Sequence, residues 1–190
     1  MTRIVAGVAG GRRIQTPPGD DTRPTTERVR EALFSALESA LGSFEGRQVL
    51  DLYAGSGAVG LEALSRGAER AVLVERRRRV AALIRRNAES LGLTGWTVVA
   101  ESVTAYVRAG AAEPFDVVFA DPPYALSGEE LARVLTDVVR RGWLAPEAYV
   151  VVERSRRDPG PVWPEGIEAL RDRRYGDTVL WYGRRAGDTS

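Results

Sequence analysis

From Val49 onward, short apolar runs alternate with stretches whose apolar positions recur every three or four residues. The runs at 49–52, 71–74, 97–100, 115–120, 149–152 and 178–182 predict strands. Leu131, Val134, Leu135, Val138 and Val139 fall at i, i+3, i+4, i+7 and i+8, and Val80, Leu83, Ile84 and Leu91 follow a similar spacing, so each set predicts a helix with one apolar stripe. Strands alternating with such helices predict an α/β fold, a mostly parallel sheet covered on both faces. Ahead of the sheet, Pro24 and an N-cap at Thr25 or Thr26 open a helix whose Val29, Leu33, Leu37 and Leu41 share one face. The first 24 residues break the pattern: 3–6 and 13–16 read as two short strands joined through Gly7, Gly10 and Gly11, followed by a Pro17-Pro18-Gly19 turn. The expected organisation is one domain over 1–190, with an appendage at 1–24, a core at 25–184 and a tail at 185–190.

Composition narrows the chemistry more than the fold. A chain of 190 residues, 44% apolar and 28% charged, fits one globular domain against a prior of roughly 150 residues per domain. It has no Cys and no His, which removes disulfides, thiolate metal sites, Cys nucleophiles and the Ser-His-Asp arrangement, and no metal is expected. It has no Lys either: all 27 basic residues are Arg, so Schiff-base chemistry and a P-loop Lys are excluded. What remains for an active site is carboxylates, hydroxyls, backbone groups and Arg. Net charge is +1, but Arg3, Arg12 and Arg13 stand in the first nineteen residues without an acid. Arg76 to Arg79 with Arg85 and Arg86 form a second acid-free cluster, read as a solvated helix face. No apolar run approaches the roughly 18 residues of a membrane span, and a cytoplasmic monomer is expected.

Two motifs carry the candidate chemistry. After the first strand, Asp51-Leu52-Tyr53-Ala54-Gly55-Ser56-Gly57-Ala58-Val59-Gly60 contains G-x-G-x-x-G, with Glu75 closing the second strand where an acid would receive ribose hydroxyls. Such glycines let backbone approach any nucleotide cofactor, so NAD and S-adenosylmethionine both fit them. Asp51 favours the latter, because a carboxylate opposes a pyrophosphate but suits an ammonium and a sulfonium. The second motif, Asp121-Pro122-Pro123-Tyr124, follows the strand at 115–120. Two prolines leave rigid carbonyl and carboxylate acceptors with no competing N–H, beside an aromatic ring, which suits a flat amine. Two acceptors drawing its N–H bonds out of plane would localise the amine lone pair towards an electrophilic methyl. In a doubly wound fold both motifs leave the carboxyl ends of strands, on one rim.

Together with Arg3-Ile4-Val5-Ala6-Gly7, Thr22-Arg23-Pro24-Thr25, Arg28-Val29-Arg30-Glu31-Ala32-Leu33-Phe34, Leu61-Glu62-Ala63-Leu64-Ser65-Arg66-Gly67-Ala68 and Tyr175-Gly176-Asp177-Thr178, these motifs resemble the RsmD-type 16S ribosomal RNA (guanine-N2)-methyltransferases over nearly the whole chain. The resemblance implies a Rossmann-like class I methyltransferase fold with a seven-stranded sheet and an N-terminal hairpin and helix. It implies S-adenosylmethionine as cofactor, with Asp51, Gly55, Ser56 and Gly57 at its methionine end, Glu75 at the ribose, and Tyr53 also among the cofactor-binding residues. At the adenine, where the family pattern has an Asp, this chain reads Glu101-Ser102-Val103, leaving Ser102, Glu101 or the Val103 backbone for that contact. Asp121, Pro122 and Tyr124 would hold the guanine, and Arg3, Arg12, Arg13 and Arg23 would meet RNA phosphates within the small subunit or an assembly intermediate. Competing readings are an N-methyltransferase acting on DNA adenine or protein glutamine, a dinucleotide-binding module, and a non-catalytic RNA-binding assembly factor.

Overall fold

A computed structural model describes residues 1–19 and 26–187. Among these the chain forms nine strands and five helices: β1 (Thr2–Arg3), β2 (Arg13–Ile14), α1 (Glu27–Leu41), β3 (Gln48–Leu52), α2 (Ala58–Ser65), β4 (Arg70–Val74), α3 (Arg78–Leu91), β5 (Trp96–Val99), α4 (Val103–Arg108), β6 (Phe115–Ala120), α5 (Gly128–Arg140), β7 (Leu144–Ser155), β8 (Ile167–Tyr175) and β9 (Thr178–Arg185). Seven strands make one sheet in the order β5-β4-β3-β6-β7-β9-β8, parallel through β7, with β9 and β8 antiparallel. The chain leaves β3 towards β4 and β5, then returns to lay β6 on its other side. The β3/β6 boundary is therefore the topological switch point, where crevices open at strand carboxyl ends.

Alternation along the parallel strands sorts their side chains into two layers. Val49, Leu73, Phe119 and Val151 pack against α1, α2 and α3, and Leu50, Val72, Val118 and Val150 pack against α4 and α5. Helix starts follow their caps: Thr26 Oγ1 accepts from the Val29 amide at 3.2 Å, and Ser127 with Glu130 closes a capping box on α5.

The six strands read from the sequence are all present, and the seventh, β8, completes the sheet. Its sequence IEALRDRRY is charged and almost wholly exposed, as an edge strand permits, so it carries no apolar run to read. β7 begins five residues before the expected 149, and β9 runs to Arg185, whose guanidinium donates to the Leu144 carbonyl at 2.7 Å, one residue into the expected tail.

The N-terminal hairpin is shorter than the expected 3–6 and 13–16, because core side chains take the backbone groups that longer strands would pair. Val5 and Ala6 amides donate to the Glu62 carboxylate at 2.8 and 3.0 Å, and the Gln15 amide and carbonyl bond the Asn87 side chain at 3.0 and 2.9 Å. Glu62 also receives Arg30 Nε at 3.3 Å and Arg66 Nε at 2.9 Å, and neither the Glu62 nor the Arg30 side chain has exposed surface. Arg30 additionally donates to the Arg3 carbonyl. At Gly7, φ is +82° and a Cβ would lie 1.8 Å from the Ser65 carbonyl oxygen, so only glycine permits this close crossing of arm over α2. Ser65 then accepts from Val8 and Ala9 amides and donates to the Ala6 carbonyl.

Removing one partner of such a buried charge pair typically costs about 3–5 kcal/mol. Glu62→Ala is expected to lose stability on that scale in chemical denaturation and to expose the first 19 residues to protease while the sheet stays folded.

Candidate active site

The loop between β3 and α2 turns on two close approaches. Gly57, at φ +83°, would place a Cβ 2.8 Å from Ile84, and Gly60 would place one 2.6 Å from Leu73. These absent side chains let α2 sit tightly on β4 and aim its first turn at the crevice. Tyr53, between β3 and the loop, is a non-glycine residue at φ +61°, a conformation costing about 1–3 kcal/mol. Its ring lines the cleft, and its buried hydroxyl has no hydrogen-bond partner among the described residues.

Two carboxylates organise the loop. Glu75, only 6% exposed, is the residue immediately after β4 and lines a cleft of about 290 Å³; it accepts from the Gly55 amide at 3.2 Å and from the Arg77 amide at 2.9 Å. Asp51, 1% exposed, lies beneath the loop, not in the cleft wall, and accepts from the Gly60 amide at 3.0 Å at the start of α2. Burial, opposed by that amide and reinforced by the nearby Glu75 charge, pushes the Asp51 carboxyl up to about 7. Of the other loop residues, Gly55 lines the cleft, and Ser56 and Gly57 lie buried behind it, with the Ser56 carbonyl accepting from Asn87 at 3.1 Å. Ser102 and Val103 line the far end. The Ser102 hydroxyl caps α4 by accepting from the Ala105 amide at 3.2 Å, while Glu101 is exposed and does not line the cleft.

This donor set fits S-adenosylmethionine better than a dinucleotide. The Glu75 carboxylate stands beside the loop where a pyrophosphate would lie and suits ribose hydroxyls, a second carboxyl, Asp51, lies beneath the loop, and Val74, Val103 and Leu126 supply apolar walls for a flat base.

Asp121, Pro122, Pro123 and Tyr124 leave the carboxyl end of β6 as a wall between that cleft and a second pocket of about 200 Å³. Asp121 and Pro123 line both spaces, while Pro122 and Tyr124 face the second. Tyr124 is 56% exposed, its ring available for stacking. The second pocket is closed by Val29 of α1 and its N-cap Thr26, by Glu153 to Ser155 of β7, and by Tyr175, Asp177 and Thr178 where β8 turns into β9.

The arm arginines divide by partner. Arg3 pairs with Glu27 at 3.1 Å, and Arg12 donates to the Leu91 carbonyl at 2.7 Å and to the Ser90 carbonyl, capping α3. Arg13 is exposed, beside a shallow groove shared with Arg86, and Arg23 lies outside the described residues. Arg76 to Arg79 are exposed, in keeping with a solvated face, and Arg76 and Arg77 line the same cleft as Glu75. Among the described residues no helix is long and apolar enough to cross a membrane.

The model of the family described as conserved hypothetical protein 95 matches residues 2–184. The chain belongs to this family, the RsmD family. The ribosomal RNA small subunit methyltransferase D of Escherichia coli K12 is 37% identical over 178 residues, 93% of this chain and 86% of that protein. The protein of the same name from Haemophilus influenzae is 33% identical over 177 residues, 92% and 89% of the two chains. Among solved structures, a proposed methyltransferase from Escherichia coli superposes with a TM-score of 0.86 at 33% identity, covering 98% of this chain and 99% of that one. A Thermus thermophilus protein superposes at 0.79 and 33%, covering 96% and 98%. The architecture is the Rossmann-like class I methyltransferase fold.

In this RsmD-family chain, sequence reasoning left the far side of the second pocket unassigned. Tyr175-Gly176-Asp177-Thr178 entered only as a shared motif, and the structure brings it opposite the Asp121 wall. Glu153-Arg154 carried a readable signal: two charges end an apolar run in a central strand, one register step beyond Val152, which pairs with Ala120.

The Asp51 pH dependence has a defined sign. The folded chain holds this proton up to about 7 and the unfolded chain releases it near the ordinary 3.8, so between these values folding binds a proton and stability falls as pH rises. Denaturation of the ligand-free protein is expected to lose up to about 1.4 kcal/mol per pH unit across that window relative to Asp51→Asn.

Proposed function

We propose that this chain transfers a methyl group from S-adenosylmethionine to the exocyclic N2 amine of a guanine in 16S ribosomal RNA, by direct in-line displacement. The observation that carries the reading is the shared wall: a cleft suited to the cofactor and a pocket suited to a flat amine meet across Asp121 and Pro123. The family and the names of its relatives support the ribosomal RNA substrate. That substrate is met in the small subunit or an assembly intermediate, in the cytoplasm, by a monomer.

S-adenosylmethionine, when bound, supplies an electrophilic methyl on a sulfonium. Glu75 would hold the ribose, Gly55 and the loop behind it would take the methionine end with Asp51 beneath fixing the start of α2 through the Gly60 amide, and Val103 with Ser102 would border the adenine. In the other pocket, Tyr124 stacks on the guanine, unpaired and out of its helix, while Asp121 and the Pro122 carbonyl accept the N2 hydrogens. As the new N–C bond replaces the C–S bond, the surplus amine proton leaves to Asp121 or water. Near-attack positioning supplies ~7–11 kcal/mol, against ~1.5–3 for one charge-assisted hydrogen bond, so Asp121 works chiefly by holding the amine.

Incubation with methyl-labelled cofactor and unmodified small subunits, free 16S RNA, DNA or total protein tests this directly. Label is expected as N2-methylguanine in 16S RNA. Asp121→Asn, which keeps one acceptor oxygen, should retain measurable transfer, and Asp121→Ala should lose at least about 100-fold. Label in adenine or glutamine would overturn the acceptor, and equal loss in both variants with cofactor binding intact would make Asp121 the obligatory proton acceptor.

Arg13, with Arg3 and Arg23, meets RNA phosphates, whereas Arg12 holds the arm to α3. Arg13→Ala should therefore weaken RNA binding and lower the log–log salt slope by about 0.7–0.9, with thermal stability unchanged. Arg12→Ala should lower stability.

A further inference from the structure

The second pocket is acidic. Asp121, Glu153, Asp158 and Asp177 line it against Arg154, whose guanidinium already donates to the Leu126 carbonyl at 3.3 Å and lies 3.7 Å from Asp158. A wall of carboxylates opposes phosphodiesters but complements the donor edge of a base. Ala120 and Val152 are register partners at the end of neighbouring parallel strands, so Asp121 and Glu153 each follow one residue on, and both line the same pocket. Ala120 and Val152 face the α4–α5 layer, which directs the side chains of Asp121 and Glu153 to the opposite face, into the pocket beside α1. Glu153 is only 7% exposed.

The Asp121-Pro122-Pro123-Tyr124 segment grips an amine without naming the base that bears it. Adenine and cytosine carry their amines next to a ring nitrogen that accepts, whereas guanine carries its amine next to a ring N1–H that donates. A second carboxylate beside the amine site therefore separates guanine from both: it accepts from N1–H and repels a ring lone pair.

We infer that Glu153, next to Asp121, accepts the ring N1–H of the target guanine and is the residue that makes this site specific for guanine among amine-bearing bases. The inference rests on the reading under Proposed function. Asp121 and Pro122 then serve the reacting amine, and Glu153 serves its neighbour.

The test compares two substrates on one protein. Small subunits are reconstituted from 16S RNA carrying guanine or 2-aminopurine at the position the unmutated protein methylates; 2-aminopurine keeps the amine but turns N1 into an acceptor. The unmutated protein should prefer guanine by about 100-fold in kcat/KM. Glu153→Gln, whose amide can donate to that acceptor, should reduce the preference by about 10-fold or more. Glu153→Asp, which keeps the charge, should keep the preference even at a lower rate. Because each preference is a ratio within one variant, a general loss of folded protein cancels. An unchanged ratio in Glu153→Gln, or an equal fall in Glu153→Asp, would overturn the assignment while methylation of guanine by the unmutated protein left the proposed function standing. No transfer to any 16S guanine by the unmutated protein would overturn both.

Discussion

Glu62 is a carboxylate with no exposed surface, and the placement of the amino-terminal third of the chain depends on how its charge is satisfied. An isolated buried carboxylate would be too costly to persist, so each of its four donors is in effect required: two amides of the arm, Arg30 from α1 and Arg66 from its own helix. These donors come from segments far apart in sequence, and meeting at one point fixes the arm, α1 and α2 relative to one another. α2 is also the helix that the glycine loop opens into, and α1 with its N-cap supplies Val29 and Thr26 to the second pocket. One electrostatic requirement thus ties together the elements that shape both halves of the site.

The sheet supplies the other half of the geometry. Because the chain reverses direction of winding between β3 and β6, the two strands whose carboxyl ends carry the glycine loop and the Asp121 segment are neighbours. The Asp121 segment then cannot avoid standing between two spaces. Its prolines make it a stiff wall with few backbone donors, so the separation of the two spaces is set by backbone.

Much of this was legible in the residues, for physical reasons that differ by element. Central strands were readable because burial on both faces demands unbroken apolar runs, and β8 was not, because an edge strand with exposed faces can be IEALRDRRY. The glycine loop and the Asp121 segment were readable because their chemistry is local. The arm was misjudged in length because its backbone pairs with Glu62 and Asn87, partners 57 and 72 residues away that no local pattern announces. For the same reason Arg12 and Arg13 look alike in sequence, yet Arg12 is committed to a helix end and Arg13 borders an open groove. Two of the motifs carrying the family resemblance, Arg-Glu-Ala-Leu-Phe and Leu-Glu-Ala-Leu-Ser-Arg, prove to be the two sides of one ion pair between Arg30 and Glu62.

Asn87 has a wider reach than its single amide suggests. Its Nδ2 donates to the carbonyls of both Gln15 and Ser56, and its Oδ1 accepts from the Gln15 amide, so one side chain is bonded at once to the arm and to the glycine loop. The amide can satisfy all three bonds in one orientation only, since a flipped side chain would set its oxygen against two carbonyls. Local opening of the arm therefore strips a partner from the loop, and loosening of the loop strips one from the arm. The two segments belong to one cooperative unit, in which order in the arm and order in the glycine loop are gained or lost together.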